Sequence, residues 1–386
     1  MSLPTLYQRD SKGKERQWSV HTEGAEVVVQ YGLVGGKIAE KRTTSKAKNV
    51  GKANETTPEQ QALLEAKSKW TKQIEREDYH EDIDKAGLQL RPMLARDYTK
   101  VGHQVDWDKG RWLLQPKLDG LRLVYGWRHE EDYDDPNKCE LLTRKGEVYK
   151  VDHIAKQGDR LHTILYGLGY SVRGLDGELY LHGLPLNQIN QRAKKYREGL
   201  TEELEYHLFD LVMDDLTFGE RYNALREALN VYREEYGESC FRLVPTFVGT
   251  DEARMKRMHG KFAQQGYEGI MIRKLDSLYG MAQRPDCLFK YKEFHDAEYK
   301  IIDVWEDKNG NAMLTCDNPE GEGEHATFNC TPKRTHDERK EMLGNKTEII
   351  GKWIKVKYQA LTEFGVPEFP VGLEIRDCDD NGNPLE

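Results

Sequence analysis

A lysine-containing hexapeptide in the first half of the chain constrains the fold and chemistry of the chain more than any other feature. The segment is Lys117-Leu118-Asp119-Gly120-Leu121-Arg122, and apolar runs at 112–114 and 121–125 predict strands on either side of it. Gly120 lets the backbone pass close to a bound group, where a side chain would intrude. The spacing suits a lysine that attacks a nucleotide phosphate, although four matching positions arise by chance in about one protein of this length per hundred.

Five further segments follow the hexapeptide in a fixed order, and the series is far more specific than any one member. They are Thr143-Arg144-Lys145-Gly146, Leu175-Asp176-Gly177-Glu178-Leu179, Tyr206-His207-Leu208-Phe209-Asp210, Tyr267-Glu268-Gly269-Ile270-Met271 and Phe289-Lys290-Tyr291-Lys292. This order resembles that of the covalent nucleotidyltransferases, which include ATP-dependent DNA ligases, some RNA ligases and mRNA capping enzymes. The resemblance covers about residues 88 to 386.

The resemblance implies a multidomain α+β protein. We expect a nucleotidyltransferase (adenylation) domain at 86–294 and an OB-fold β-barrel at 295–386. Alternating runs at 299–305 and 353–358 fit the strands of such a barrel. A helical stretch is expected at 221–236.

Residues 1–85 are expected to form a separate sheet-plus-helix domain. Alternating residues at 17–20 and 26–30 predict paired strands, and Thr57-Pro58-Glu59-Gln60 predicts a capped helix start. The segment resembles a WGR domain, a module of nucleic-acid enzymes, with Tyr31-Gly32-Leu33 where Trp-Gly-Arg is usual. Because the arginine of the motif is replaced by Leu33, any contact made by that arginine does not carry over.

A basic cluster before this helix predicts contacts with DNA phosphates. Its members are Lys41, Arg42, Lys46, Lys48 and Lys52. Residues 1–76 carry a balance of +5, whereas the whole chain has a formal net charge of −9. Phosphate contacts supply most non-specific DNA affinity, so the basic segment is the better candidate for them. A solvated basic face remains the alternative.

The six cysteines are scattered without a Cys-x-x-Cys pair, which predicts reduced structural thiols rather than a zinc site. The pattern of NAD-dependent bacterial ligases includes a four-cysteine zinc module, which this sequence lacks. ATP is therefore the expected donor. No apolar run approaches the roughly 18 residues of a membrane span, and no signal peptide is evident. We expect a cytoplasmic monomer, compact like phage or other viral ligases.

The chemistry requires a neutral lysine, and at pH 7 deprotonating an ordinary lysine costs about 4 to 5 kcal/mol. Arg122, Mg²⁺ or other lysines could lower the pKa of Lys117 by repulsion. The resemblance implies that Lys117 attacks the α-phosphate of ATP, displaces pyrophosphate and forms a lysyl-AMP phosphoramide.

The resemblance also implies the remaining ligands. The implied catalytic residues are Lys117, Asp119 and Arg122. The implied nucleotide contacts are Gln115, Lys117, Arg122, Arg144, Glu178, Phe209, Lys290, Lys292 and Arg376. The implied ligands of Mg²⁺ (or Mn²⁺) are Glu178 and Glu268. Glu178 would contact the ribose, and Phe209 would stack on adenine. Three alternatives remain open: Asp119 could hold a turn, Phe209 could be a core aromatic, and the paired lysines could lie on an ordinary exposed strand.

The segment 367–377 resembles the last ligase motif, in which Arg376 and Asp377 match, and it favours a ligase over a capping enzyme. The expected function is an ATP-dependent DNA ligase that seals nicks in duplex DNA carrying a 5′-phosphate. Two alternatives remain: an RNA ligase of the same superfamily, and a catalytically silent nick-binding protein.

Overall fold

The computed structural model describes most of the chain as two compact units. The described residues are 2–9, 13–77, 79–86, 89–129, 132–133, 135, 138–362, 364–379, 382–383 and 385. The units are Met1–Tyr291 and Lys292–Glu386. Within the described part of the chain, none of the helices has both the length and the apolar character that crossing a bilayer requires.

The first unit begins with an antiparallel four-stranded sheet covered by one helix. The strands are β1 (Leu6–Arg9), β2 (Glu15–Glu23), β3 (Glu26–Leu33) and β4 (Ile38–Thr44), in that order, and the helix is α1 (Pro58–Glu77). Thr57 and Gln60 cap the helix reciprocally, through bonds of 3.0 and 3.2 Å. The predicted strand pair and helix start are therefore confirmed.

Two five-stranded sheets form the rest of this unit. Its elements are β5 (Arg96–Asp97), α2 (Tyr98–Val101), β6 (Trp112–Lys117), β7 (Leu121–Trp127), β8 (Cys139–Thr143), α3 (Asp152–Gly167), β9 (Gly174–Tyr180), α4 (Leu186–Lys194), β10 (Glu205–Val212), α5 (Phe218–Tyr236), β11 (Phe241–Leu243), β12 (Phe247–Gly249), α6 (Glu252–Gln264), β13 (Gly269–Lys274) and β14 (Leu288–Tyr291). The sheet orders are β11-β10-β9-β7-β8 and β12-β6-β13-β14-β5.

The pairing of the strands places residues of different motifs opposite one another. In one sheet Arg122 lies opposite Glu178. In the other, Met271 lies opposite both Gln115 and Lys290. The helix predicted at 221–236 begins at Phe218, because Thr217 and Glu220 form a capping box just before it.

The second unit is a closed five-stranded barrel with two short helices. Its elements are β15 (His295–Glu306), β16 (Ala312–Asp317), β17 (Thr327–Pro332), α7 (His336–Gly344), α8 (Lys346–Ile349), β18 (Trp353–Tyr358) and β19 (Val371–Arg376), with barrel order β15-β16-β17-β19-β18. Ile301, Leu314 and Val356 fill its core. Each of the five described strands pairs with two neighbours, as the predicted barrel requires.

Candidate active site

Lys117 ends strand β6, and Glu268 immediately precedes its partner strand β13. The Glu268 backbone N–H donates to the Lys117 carbonyl at 3.0 Å. The Lys117 Nζ also donates to Glu268 Oε2, and these side chains are 21% and 6% exposed. The backbone pairing thus fixes a carboxylate against the candidate nucleophile.

A cavity of about 170 Å³ opens beside this pair. Its lining comprises Leu94, Ala95, Gln115, Pro116, Lys117, Leu118, Arg122, Arg144, Glu178, Phe209, Met271, Arg273, Arg284 and Lys290. Seven residues predicted from the sequence to bind nucleotide are among them, and they come from both sheets. Sequence reasoning missed Arg273 and Arg284.

Protein packing alone requires glycine at position 120. A Cβ at this position would lie 2.5 Å from the Leu179 carbonyl oxygen and 2.7 Å from Glu178 Cγ. The close neighbour is therefore strand β9. Packing against β9 is a reason for glycine that the sequence did not show, and the close approach to a bound group stays a prediction.

Phe209 reaches the cavity from an irregular position in strand β10. The register with β9 shifts between Leu208 and Asp210, so Phe209 lies in a bulge. Such a bulge redirects a side chain. The guanidinium carbons of Arg122 and Arg273 lie 4.7 and 5.1 Å from the ring centroid. The ring is half-buried and packs against the core, and it also lines the cavity. Its position is therefore compatible with both predictions, a core aromatic and a ring that stacks on adenine.

Arg122 is engaged in a two-point ion pair. Its Nε and Nη2 donate to the two Asp176 oxygens at 2.7 Å each, and Tyr279 donates to the same carboxylate at 2.6 Å. This ion pair holds Arg122 in the cavity wall. Its charge still lowers the pKa of Glu178, and its effect on the pKa of Lys117 stays a prediction.

A second buried ion network lies behind Phe209 and was not predicted. Asp210 accepts from Arg221 at 2.7 and 3.1 Å and from Arg273 at 2.6 Å. Arg221 and Asp210 are 0% exposed, and Arg273 is 3% exposed. A charged residue inside an apolar strand is the signal that could have revealed it, since buried charges need partners.

Burial and nearby positive charges have opposite effects on the pKa of Glu178. Burial raises its pKa to about 7, against the lowering effects of the Lys117 and Arg122 charges. Asp119 lies in the turn after Lys117 and adds a smaller raising effect. Among the described residues, no group of three or more His, Cys, Asp or Glu side chains could hold a metal by itself. Any metal here would need oxygen ligands from a substrate as well.

Two predicted nucleotide ligands belong to the second unit. Lys292 donates from Nζ to Gln359 Oε1. Arg376 donates to Glu374 at 3.0 and 2.8 Å and to Glu298 at 3.2 Å. Both cations are bound to barrel residues in this conformation.

The residues predicted to contact DNA differ in whether carboxylates already pair with them. Arg42 donates to Glu23 at 2.6 Å, to Glu26 at 3.2 Å and to Glu40 at 2.7 Å, so its charge is balanced within the sheet. These ion pairs make Arg42 a weaker candidate for a phosphate contact than the lysines, and that contact stays a prediction. Lys48 lies 3.5 Å from Glu65. The remaining lysines, at positions 41, 46 and 52, are exposed.

Comparison with known families agrees with this geometry. The sequence model of the ATP dependent DNA ligase domain matches residues 92–292, more than half of the 386-residue chain. The chain belongs to the ATP-dependent DNA ligases. The model of the DNA ligase OB-like domain matches residues 306–376 of the ligase, within the barrel.

Relatives cover most of this ligase. It is 26% identical over 361 residues to a DNA ligase of African swine fever virus (isolate Pig/Kenya/KEN-50/1950), covering 89% of this chain and 82% of the relative. Its fold is similar to a solved Lig E DNA ligase structure, with 21% identity, a TM-score of 0.56 and coverage of 74% and 99%. It is also similar to the solved Pmar-Lig structure, with 18% identity, a TM-score of 0.60 and coverage of 75% and 68%. The ligase and OB-like domains predicted from the sequence are confirmed, and ATP is the expected donor with a divalent metal.

Proposed function

We propose that this ligase seals nicks in duplex DNA through a lysyl-AMP intermediate on Lys117. AMP would pass from Lys117 to the 5′-phosphate of the nick, and the adjacent 3′-hydroxyl would then displace AMP. The observation that carries the proposal is the position of Lys117, which lines a cavity with Glu178, Phe209 and Lys290 and contacts Glu268.

The first step follows from these contacts. The Lys117 amine must lose one proton before attack, and Glu268 Oε2 is the carboxylate oxygen in contact with it. The amine nitrogen then bonds to the α-phosphorus and releases its second proton to solvent, and the bond between that phosphorus and the bridging oxygen breaks. Pyrophosphate leaves with the electron pair. Lys290 and Lys292 would oppose the negative charge that develops.

The proposed nucleotide contacts come from paired positions on the two sheets. Glu178 would bind the ribose hydroxyls, and Phe209 would stack on adenine from its bulge. Gln115 and Arg144 line the same cavity and would complete the site. Since the residues of all six ordered motifs lie in this one sequence, we propose that a monomer suffices.

A divalent metal fits Glu178 and Glu268. Mg²⁺ is commonly bound by one or two carboxylates together with substrate phosphates, and these two residues supply that number. When bound, the metal would neutralise phosphate charge during transfer. Mg²⁺ or Mn²⁺ would serve, since both take oxygen ligands.

Residues 1–85 would form a WGR-like DNA-binding domain, beside the proposed adenylation domain at 86–294 and barrel at 295–386. The four-stranded sheet and helix α1 support a separate fold for this segment. Lys41, Lys46, Lys48 and Lys52 would contact DNA phosphates. Arg42 is left out because three carboxylates already engage it.

One experiment tests the proposal. The ligase is incubated with α-labelled ATP, and nicked DNA, nicked RNA and hybrid duplexes are then supplied. We expect label on the protein and sealing of nicked DNA. Lys117→Ala should abolish labelling, whereas the exposed control Lys261→Ala should not. Labelled Lys117→Ala protein would contradict the site, and faster sealing of RNA would favour an RNA ligase.

A further inference from the structure

A histidine close to Lys117 is held between two tyrosines of the first unit. His182 Nδ1 lies 2.8 Å from the Tyr180 hydroxyl, and its ring centroid lies 4.9 Å from that of Tyr267. Tyr180 ends strand β9, and Tyr267 directly precedes Glu268, the residue before β13. These three residues, which we call the His182 cluster, therefore link two strands that belong to different sheets.

Two backbone contacts place the His182 cluster next to the nucleophile. The Leu179 carbonyl oxygen, which adjoins the cluster on β9, would lie 2.5 Å from a Cβ at Gly120 in the turn after Lys117. On the other strand, Glu268 adjoins the cluster and donates its backbone N–H to the Lys117 carbonyl at 3.0 Å. The lining of the nucleotide cavity includes none of the three residues. The cluster thus lies beside the backbone of Lys117 but outside the space for the nucleotide.

The hydrogen bond to Tyr180 determines which imidazole nitrogen carries the proton. Tyr180 is 3% exposed, and its buried hydroxyl needs an acceptor. Among the residues that the structure describes, His182 Nδ1 is that acceptor. A neutral imidazole whose Nδ1 accepts a hydrogen bond carries its proton on Nε2. The exposed ring therefore presents an N–H donor, and within the described part of the chain no acceptor engages it.

Backbone and ring contacts hold the imidazole in place. The Leu184 backbone N–H donates to the Leu181 carbonyl at 3.0 Å, which closes a turn around His182. Gly183 adopts a φ of +81° in this turn, as a glycine can without strain. Tyr267, against which the imidazole lies, packs on two of the hydrophobic cores. The donor is thus oriented before any ligand binds, which lowers the entropic cost of binding.

The oxygens of a DNA backbone suit an exposed, oriented N–H donor at this place. The strands on either side of a nick continue past the reacting phosphate, so their phosphodiesters must pass over residues beside Lys117. Half or more of protein–DNA hydrogen bonds go to phosphate oxygens and sugars. We propose that His182 Nε2 donates to a phosphodiester oxygen of a strand that flanks the nick. The inference rests on the proposed nick-sealing function and adds a DNA-binding residue to it.

Two substitutions separate the donor from the ring. His182→Phe keeps an aromatic ring against Tyr267 but removes the N–H, whereas His182→Gln keeps an amide N–H near the position of Nε2. Single-turnover sealing by full-length ligase that already carries AMP bypasses the ATP step. We expect His182→Phe to raise the nicked-DNA concentration for half-maximal sealing about tenfold, which corresponds to about 1.4 kcal/mol. His182→Gln should stay close to the parent, as should His103→Phe at an exposed position outside the cluster.

A chemical change in the DNA tests the same hydrogen bond from the other partner. Single methylphosphonates, in which a methyl group replaces one charged oxygen, are placed in turn at the phosphodiesters that flank the nick. We expect one position to weaken the parent about tenfold and to weaken His182→Phe much less, because the contact is already absent there. This non-additivity is the signature of a direct interaction. Equal thermal unfolding midpoints of the variants would exclude damage to the domain.

Parental sealing by His182→Phe, or equal losses in parent and variant at every methylphosphonate position, would overturn the inference. A loss that His182→Gln shares with His182→Phe would indicate stacking by the ring and would overturn it as well. Failure of the proposed function has a different signature, because the parent itself would then not seal nicked DNA, and the contact would fall with it. If the parent seals and the His182 variants match it, only the contact is wrong.

Discussion

Lys117 and Glu268 are joined twice, once through the backbone and once through their side chains. The backbone bond of 3.0 Å aligns the strands, and the side-chain bond places a carboxylate on the amine. The alignment survives a change of side chain at position 268. Substitution there therefore tests the chemistry of the carboxylate separately from the fold.

Glu268→Gln should retain the fold and lose lysine adenylation by about 10²- to 10³-fold, comparable to the loss of one oriented transition-state contact. Labelling by α-labelled ATP measures the loss, and the exposed Glu252→Gln serves as the matched control. A labelling rate equal to that of the parent would make Glu268 a structural residue only.

Asp210→Asn should lower the free energy of unfolding by about 3 to 5 kcal/mol, because it leaves two buried arginines without their countercharge. Denaturant unfolding gives the value. Asp215→Asn, at an exposed position, should change it little. A loss as small in the Asp210 variant as in this control would mean that Arg221 and Arg273 find other partners.

The buried His162 should make stability depend on acidic pH. Burial lowers its pKa from 6.5 to about 4. As pH falls below 6.5, the unfolded chain takes up a proton that the folded chain refuses, so stability is lost down to about pH 4 and no further. The loss should reach about 2 kcal/mol by pH 5.

Unfolding free energies at pH 7.5 and pH 5 measure this effect. His162→Gln should reduce the difference between the two pH values, whereas His103→Gln at an exposed position should leave it unchanged. If parent and His162→Gln lose stability equally on acidification, His162 is not the group responsible.

The N-terminal lysines should contribute to the salt dependence of DNA binding. Each phosphate contact adds about 0.9 to the slope of log affinity against log salt, so deleting residues 1–85 should reduce the slope by roughly three to four units. Lys46→Gln or Lys52→Gln should each remove about one unit. Arg42→Gln should leave the slope unchanged, because that charge is already balanced. Equal slopes for the deletion and the full chain would exclude DNA contact by this domain.

The ordered motifs and the alternation of apolar residues predicted the two ligase domains, the N-terminal sheet and helix, and half of the cavity lining. These features are local: spacing, capping and strand period are visible along the chain. The partners of Arg122 and Arg42 were not visible, because Asp176 and Glu23 meet them only through cross-strand pairing. The bulge at Phe209 was missed for the same reason, since a bulge is a property of two strands and not of one.

The turn at 118–120 has a mechanical consequence for the cavity. It carries the chain from one sheet directly to the other, and four residue steps can span at most about 14 Å. The sheets therefore cannot separate at the Lys117 end, and the four-step connection from Leu243 to Phe247 is a second short tie between them. Loosening of the domain would thus widen the cavity last beside the nucleophile, so tolerance for altered nucleotides should grow before the reactivity of Lys117 is lost.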